Sequence, residues 1–431
     1  MKYTSCLLSL LLSLPFGLLS QVNPDPEFSD HVFDENIHTV MLRQKGIPDS
    51  YPILILNAGD RLELSFDEMG TEQRNFEYTL IHCDYNWYPS NISENQYIDG
   101  LISDYIINIS PSFNTYVKYT NYEVAIPSEQ MVPKLAGNYI IKVYESGSPE
   151  EVVLTRRFYV VAQQVGIRGN VHQPLDPKYR KRMQEVDFEV DLKNLSVSNP
   201  YGDIRIVVQQ NGRPDSELRN LQPKFVRDNL LIYDYEFENL FEAGNEFRAV
   251  DLRSVRFKGT GVEQLTLDSL FVARLHVDED RSYFSFSSRA DLNGKRIIDA
   301  KEASNPAVEG DYVLTYFRFK NPYPEEEPDM YLYGELSGWK TQPPYKLHYD
   351  SASGYYFSEQ LLKQGYYNYI YVLARPSAPP GTPGRLPAID QTYFEGSYWE
   401  TENDYTIYVY HRSLSLNTDE LAGILRLNTG M

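Results

Sequence analysis

The tripeptide His82-Cys83-Asp84 comes closest to a catalytic arrangement, because it places a thiol beside a base and an acid. A catalytic cysteine needs a histidine within hydrogen-bonding reach to take its proton. The alternation of apolar and polar residues over 76–83 predicts a β-strand, in which adjacent side chains point to opposite faces. His82 therefore cannot activate Cys83 directly. We expect Cys83 to be a buried packing residue, as free cysteines commonly are.

The other polar residues do not form a catalytic or metal-binding motif. The seven histidines lack zinc-ligand spacing and cysteine partners; they are His31, His38, His82, His172, His276, His348 and His411. The segment Asp291-x-Asn293-Gly294 lacks most ligands of a calcium loop, so we predict a tight turn there. We predict no catalytic residue, no metal site and no cofactor. An enzyme with dispersed catalytic residues stays an alternative.

The composition argues against several classes of partner. The chain has 60 acidic and 40 basic residues and a formal net charge of -20, which repels nucleic acid and anionic lipid. Its 36 tyrosines suit the half-buried faces of β-sheets and the contact surfaces of protein interfaces. We therefore expect a β-rich protein that binds another protein, and no nucleic-acid partner.

The first twenty residues have the layout of an export signal. Lys2 precedes a mostly apolar run over 7–19, and Ser20 is a small residue at a plausible cleavage point. We predict a signal peptide over 1–20, whose removal also takes Cys6 and leaves Cys83 as the single cysteine. No later stretch approaches the roughly 20 apolar residues that a spanning helix needs, so we expect no direct membrane insertion.

Alternation with a period of two residues predicts strands along the rest of the chain. In one example Leu62, Leu64 and Phe66 share a face, and residues 105–109 form another predicted strand. Gly137-Asn138-Tyr139 opens a late strand and is similar to the tyrosine corner of immunoglobulin-like domains.

The spacing of strands and turns predicts an all-β fold of three consecutive immunoglobulin-like β-sandwich modules. We place the N-terminal module at 21–162, the middle module at 163–305 and the C-terminal module at 306–431. Gly365-Tyr366-Tyr367 occupies a place in the third module like that of Gly137-Asn138-Tyr139 in the first.

The third module has a possible sugar-binding feature. The segment 333–339 ends in Trp339 and, with the Gly-Tyr-Tyr segments at 354–356 and 365–367, resembles the glycogen-binding type of carbohydrate module. That resemblance implies that Trp339 could stack on a sugar ring. The lysine and second tryptophan of such platforms are not recognisable, so a periplasmic or surface glycan-binding protein stays an alternative.

A second resemblance covers nearly the whole chain after the export signal. Its segments include Leu64-Ser65-Phe66-Asp67, Tyr78-Thr79-Leu80-Ile81-His82-Cys83-Asp84 with Trp87, Tyr97-Ile98-Asp99-Gly100, Ser112-Phe113-Asn114-Thr115, Gly137-Asn138-Tyr139 and Asn245-Glu246-Phe247-Arg248. In this order they are similar to the plug proteins of type IX secretion. The resemblance implies a non-enzymatic periplasmic protein that binds the outer-membrane translocon barrel and seals its pore when no cargo passes.

Aromatic residues are the candidates for partner contact, because aromatic anchors often dominate the energy of an interface. We predict contacts from Tyr85, Trp87 and Tyr88, which lie in one loop, and from Trp339. For Trp87 the alternative is packing beneath its own loop, because tryptophan is highly buried on average.

Overall fold

The computed structural model describes residues 26–321, 329–374, 389–413 and 415–430. Over these residues strands dominate and each helix is a single turn. The predicted all-β sandwich fold is confirmed. The predicted signal peptide over 1–20 lies outside the described residues. Among the described residues, no helix has the length and apolar character needed to cross a membrane.

The first sandwich is built from residues 26–162. Its elements are β1 (His31–Val32), β2 (Ile37–Gln44), β3 (Ile53–Ile55), β4 (Leu62–Met69), β5 (Phe76–Cys83), α1 (Glu94–Tyr97), β6 (Ile98–Gly100), β7 (Ser103–Tyr105), β8 (Asn108–Pro111), β9 (Tyr119–Ile126), β10 (Met131–Pro133), β11 (Gly137–Glu145) and β12 (Ser148–Val161), after a 3-10 turn at Pro26–Phe28. One sheet has the order β1-β12-β11-β5-β7, with β3 parallel to β12, and a second sheet has the order β2-β4-β9-β8. Leu62, Leu64 and Phe66 share the buried face of β4, as their alternation predicts.

The second sandwich begins at residue 163. Its first elements are β13 (Gly166–His172), β14 (Met183–Asp191), α2 (Pro200–Asp203), β15 (Ile204–Gln210), a 3-10 turn (Pro214–Ser216), β16 (Leu218–Arg219), β17 (Phe225–Arg227), β18 (Leu230–Tyr233) and β19 (Leu240–Glu242). One complete sheet has the order β13-β14-β18-β17, with β19 also paired to β14. The opposite sheet starts with β15 and β16 and needs strands from elsewhere in the chain.

The third sandwich follows. Its elements are β20 (Arg248–Asp251), β21 (Val262–Leu267), β22 (Phe271–Glu279), β23 (Arg296–Ile298), α3 (Pro306–Glu309), β24 (Tyr312–Lys320), β25 (Met330–Tyr333), 3-10 turns at Glu335–Ser337 and Pro343–Tyr345, β26 (His348–Asp350), β27 (Tyr355–Lys363), β28 (Gly365–Ala374) and β29 (Ile389–Asp390). One sheet has the order β21-β22-β24-β27-β26. The other has β28 at its centre, paired with β20, β23, β25 and β29.

The last two strands, β30 (Asp404–Ser413) and β31 (Thr418–Asn428), return to the second sandwich. β30 pairs with β15 from Ile204–His411 to Gln210–Tyr405, and β31 pairs with β30. The third sandwich is thus inserted between β19 and β30.

This arrangement differs from the predicted division at 305/306. Strands β20 to β23, which the sequence analysis placed in the middle module, pack in the third sandwich. Strands β30 and β31, which it placed in the C-terminal module, complete the second. The difference arises because pairing between β15 and β30 spans about two hundred residues, and local alternation carries no information on such partners.

Both predicted tyrosine corners are present. The Tyr139 hydroxyl donates to the backbone oxygen of Leu135 at 2.7 Å, four residues upstream. The Tyr367 hydroxyl donates in the same way to the oxygen of Lys363. Each hydroxyl is buried, so the bond satisfies a polar group that would otherwise be costly and fixes the entry to a central strand.

Candidate functional site

His82 and Cys83 lie on opposite faces of β5, as predicted. His82 Nδ1 lies 2.8 Å from Ser90 Oγ and Nε2 lies 3.2 Å from the oxygen of Ala136, and burial lowers the pKa of His82 to about 4. The Cys83 thiol is free, fully buried and packed against Ile81, and burial raises its pKa. A buried thiol with a raised pKa is a poor nucleophile. The two side chains are packing residues and not a catalytic pair.

One group among the described residues has the composition of a metal site. His172 of β13 lies opposite Glu185 of β14, and Asp187 lies two residues further on, with ligand atoms within 4.8 Å of one another. His172 Nε2 is 2.8 Å from Asp187 Oδ2. Partial burial opposes the charged form of His172, but the hydrogen bonds to Asp187 and to the backbone oxygen of Gln173, together with the charges of Asp187 and Glu185, outweigh it and raise the pKa of His172. These residues could hold a cation, but the bonds between them already make a complete histidine–carboxylate pair. The sequence analysis missed this group because its members meet only through strand pairing.

The predicted contact residue Trp87 is buried. It is 3% exposed, and its ring lies 5.2 Å from that of Tyr159 and 4.4 Å from the guanidinium of Arg157. Tyr159 stacks in turn on Tyr408 of β30, with ring centroids 4.4 Å apart. Trp87 therefore joins the first sandwich to the second, and it is closed to a partner in this conformation.

Its neighbours in the loop differ in exposure. Tyr85 is half-buried, and its backbone oxygen accepts a hydrogen bond from Arg219 at 2.8 Å, so it also belongs to the junction of the two sandwiches. Tyr88 is exposed. Of the three aromatic residues predicted in this loop, Tyr88 is the one whose ring is open to solvent, and its contact with a partner stays a prediction.

Trp339 is half-buried beside the junction of the second and third sandwiches. Its ring lies edge-on to Phe247 and Tyr333, with centroids 6.0 and 5.6 Å apart, and the guanidinium of Arg213 is 5.2 Å from its centre. The Tyr333 hydroxyl donates to the backbone oxygen of Trp339 at 2.8 Å. These contacts hold the indole in place, unlike the open, flat platform on which a sugar ring stacks. The glycan-contact role of Trp339 stays a prediction.

A different surface has the exposed apolar side chains that a protein partner could cover. They are Leu101, Ile102, Tyr105, Ile107 and Val132, which we call the apolar edge. Ile107 is 81% exposed. Four of the five lie within seven residues of the chain, and Val132 lies on β10, whose pairing with β6 brings it beside them. A group of exposed apolar side chains of this kind often marks a binding site.

The backbone of the apolar edge adds open hydrogen-bonding groups. β7 is the last strand of one sheet and β8 is the last strand of the other, and neither has a second neighbour among the described strands. Such edges can accept an added strand. The sequence analysis predicted one strand over 105–109. The structure instead divides it, because Ile106 turns into the core and the chain passes from one sheet to the other.

The part of the chain that contains the apolar edge matches a known protein family. Residues 37–162 match the family model described as the type 9 secretion system plug protein 1st domain. This stretch is therefore similar to the first domain of type IX secretion plug proteins. The resemblance inferred from the sequence segments is thereby confirmed over these residues, and the apolar edge lies wholly inside the matched region.

The fold of the complete chain is shared with a solved protein. A crystal structure of a hypothetical protein from Parabacteroides merdae ATCC 43184 superimposes with a TM-score of 0.86 at 29% sequence identity, covering 93% of this chain and 99% of that one. No curated protein matches the chain. The fold of nearly the whole chain is thus similar in the two proteins.

Proposed function

We propose that this protein is a non-enzymatic periplasmic protein that binds the outer-membrane translocon barrel of type IX secretion and seals its pore when no cargo is passing. The observation that carries the proposal is the match of residues 37–162 to a plug domain. The sequence resemblance to plug proteins extends beyond that domain, and the acidic composition suits a protein that stays off anionic membranes.

The apolar edge is the surface that we propose contacts the barrel. It combines exposed aliphatic and aromatic side chains with two short edge strands, so it offers both apolar area and backbone hydrogen bonds. Its exposed neighbours include Asp99 and Asn108, which provide a polar rim. A modest apolar contact with a polar rim is typical of interfaces that release their partner, which a plug must do whenever cargo arrives.

The experiment is affinity purification of the tagged protein from envelope extracts, with identification of co-purifying barrels. The double variant Ile102→Glu/Ile107→Glu should lower recovery of the barrel about tenfold or more, because it places charges at the centre of the contact. The matched control is Leu175→Glu, because Leu175 is an 85% exposed apolar residue of the second sandwich and lies outside the apolar edge. Equal recovery with both variants would reject the apolar edge as the contact, and no barrel with the wild-type chain would reject the proposed function.

Deletion of the protein separates a seal from other roles in secretion. Loss of a seal should leave cargo secretion largely working while the outer membrane becomes leakier to large antibiotics. Loss of a motor or a processing enzyme would instead stop export or leave cargo uncut. Unchanged permeability in the deletion strain would contradict the proposal.

A further inference from the structure

A cavity of about 530 Å³ lies where the three sandwiches meet. The first sandwich lines it with Arg43 and Arg156, the second with residues of the turn after β15, and the third with Arg296, Trp339 and Lys340. The volume is in the range of sites that hold small molecules. This cavity is separate from the apolar edge, since none of the five edge residues lines it.

The charge of the cavity wall is opposite to that of the chain. Seven lysine and arginine side chains line the cavity against three aspartate and glutamate side chains, in a protein whose net charge is -20. Two of the seven are paired with carboxylates that do not line the cavity. Lys295 Nζ lies 3.8 Å from Asp404 Oδ2, and Lys363 Nζ lies 2.7 Å from Asp67 Oδ2. Arg43 forms an ion pair with Glu335. The other four cations of the wall are Arg156, Arg157, Arg296 and Lys340, and within the described residues they form no ion pair with a carboxylate.

Three of the remaining cations are held by backbone oxygens. Arg156 Nη1 donates to the oxygens of His31 and Thr155, at 3.0 and 2.7 Å. Arg296 Nη2 donates to the oxygen of Val40 at 3.0 Å, and Lys340 Nζ donates to the oxygen of Asp30 at 2.5 Å. Within the part of the chain that the structure describes, none of the three has a carboxylate oxygen within ion-pair distance. A carbonyl orients a cation but leaves its charge uncompensated.

The pKa values of Lys340 and Arg156 are both lowered, as expected for cations that lie close together in a partly buried cavity. Burial, together with repulsion from Arg156 and Arg157, lowers the pKa of Lys340, and Asp30 offsets only part of that effect. Burial also lowers the pKa of Arg156, and repulsion from Arg296 and Arg43 adds to this effect, while attraction to Asp30 and Glu335 offsets only part of it. Cations that repel one another in a partly desolvated cavity are stabilised by any anion that enters it.

We propose that the cavity binds a small molecule that carries phosphate or carboxylate groups, held by Arg156, Arg296 and Lys340. The two guanidinium groups offer paired donors that match the geometry of either anion, and Lys340 adds a point charge. The rings of Trp339 and Tyr345 on the same wall provide apolar surface for the rest of the ligand. The site lies between the sandwiches, so its ligand also ties them together.

The test uses the purified full chain with pyrophosphate and citrate as probes, at constant ionic strength. Calorimetric titration of the wild-type protein should give saturable binding to at least one probe, and that probe should raise the melting temperature. Arg156→Met and Lys340→Met should each weaken binding about tenfold or more, because each removes a charge-assisted hydrogen bond. The control is Arg168→Met, because the Arg168 side chain is 79% exposed on β13 and outside the cavity.

Each outcome decides the proposal. Binding of pyrophosphate alone identifies a phosphate-bearing ligand, and binding of citrate alone identifies a carboxylate-bearing one. The absence of binding to both probes, or equal weakening by Arg168→Met and the two cavity variants, would overturn the proposal. If Arg156→Met does not fold, Lys340→Met decides alone, because its contact is with one backbone oxygen of the partly exposed rim. No barrel is needed, so this result is independent of the proposed sealing function.

Discussion

Removal of the Lys363 ammonium should destabilise the folded protein at the contact between the first sandwich and the third. Lys363 Nζ lies 2.7 Å from Asp67 Oδ2, and both side chains are about 1% exposed. Tyr312 donates to the same carboxylate oxygen at 2.7 Å, and Asn121 donates to the other at 2.8 Å. Because β4 carries Asp67 and β27 carries Lys363, this pair is a buried ionic contact between sandwiches.

The magnitude follows from what each substitution leaves behind. Lys363→Met keeps a buried carboxylate with two neutral donors and no counter-charge, which costs about 3–5 kcal/mol. Asp67→Asn leaves a buried ammonium whose pKa is already lowered by burial, and it should cost about as much. The double variant Asp67→Asn/Lys363→Met contains neither charge, so it should lie within about 2 kcal/mol of the wild type.

The assay is urea unfolding at pH 7, followed by circular dichroism, for the wild type, both single variants and the double variant. Arg168→Met serves as the control, because the exposed pair of Arg168 with Glu189 should contribute less than about 1 kcal/mol. The reasoning fails if Lys363→Met costs less than about 1 kcal/mol, or if the double variant is as unstable as the sum of the two single variants.

Two further predictions concern buried titratable groups. Cys83→Ser should cost about 1–2 kcal/mol, because it places a hydroxyl in an apolar junction, and native Cys83 should react slowly with thiol reagents; rapid labelling would contradict its burial. Glu246 is buried, and burial followed by repulsion from Asp291 raises its pKa from 4.5 to about 7. The folded state therefore binds this proton more tightly than the unfolded state, so its contribution is complete below pH 4.5 and is lost as the pH rises through 7. The free energy of unfolding, measured with urea at several pH values, should fall by up to about 3 kcal/mol across that window because of Glu246, and Glu246→Gln should reduce the slope; an unchanged slope would contradict the assignment.

The sequence predicts local features of this molecule well. The alternation in β4 places Leu62, Leu64 and Phe66 on one face, and the structure buries all three. The same rule places His82 and Cys83 on opposite faces of β5, where the structure has them. These predictions succeed because the period of a strand is fixed by backbone geometry.

Features that depend on distant partners were not predictable. The pairing of Ile204 with His411 closes the second sandwich around an inserted third, and no local pattern specifies it. The sequence left open whether Trp87 is a contact residue or packs beneath its own loop. The partners that bury it, Arg157 and Tyr159, which stacks on Tyr408 of the second sandwich, are set by tertiary packing. Alternation likewise cannot say which face of a strand is buried, so the exposure of the apolar edge was not foreseen.

The most direct test of the sealing function is the ionic conductance of the type IX translocon barrel reconstituted in a planar bilayer. Addition of the purified protein to the periplasmic side should close the open barrel reversibly. The Ile102→Glu/Ile107→Glu variant should leave the conductance high, and the Leu175→Glu variant should close the barrel as the wild type does. A conductance that does not change when the wild-type protein is added would contradict the proposal that this chain seals the pore.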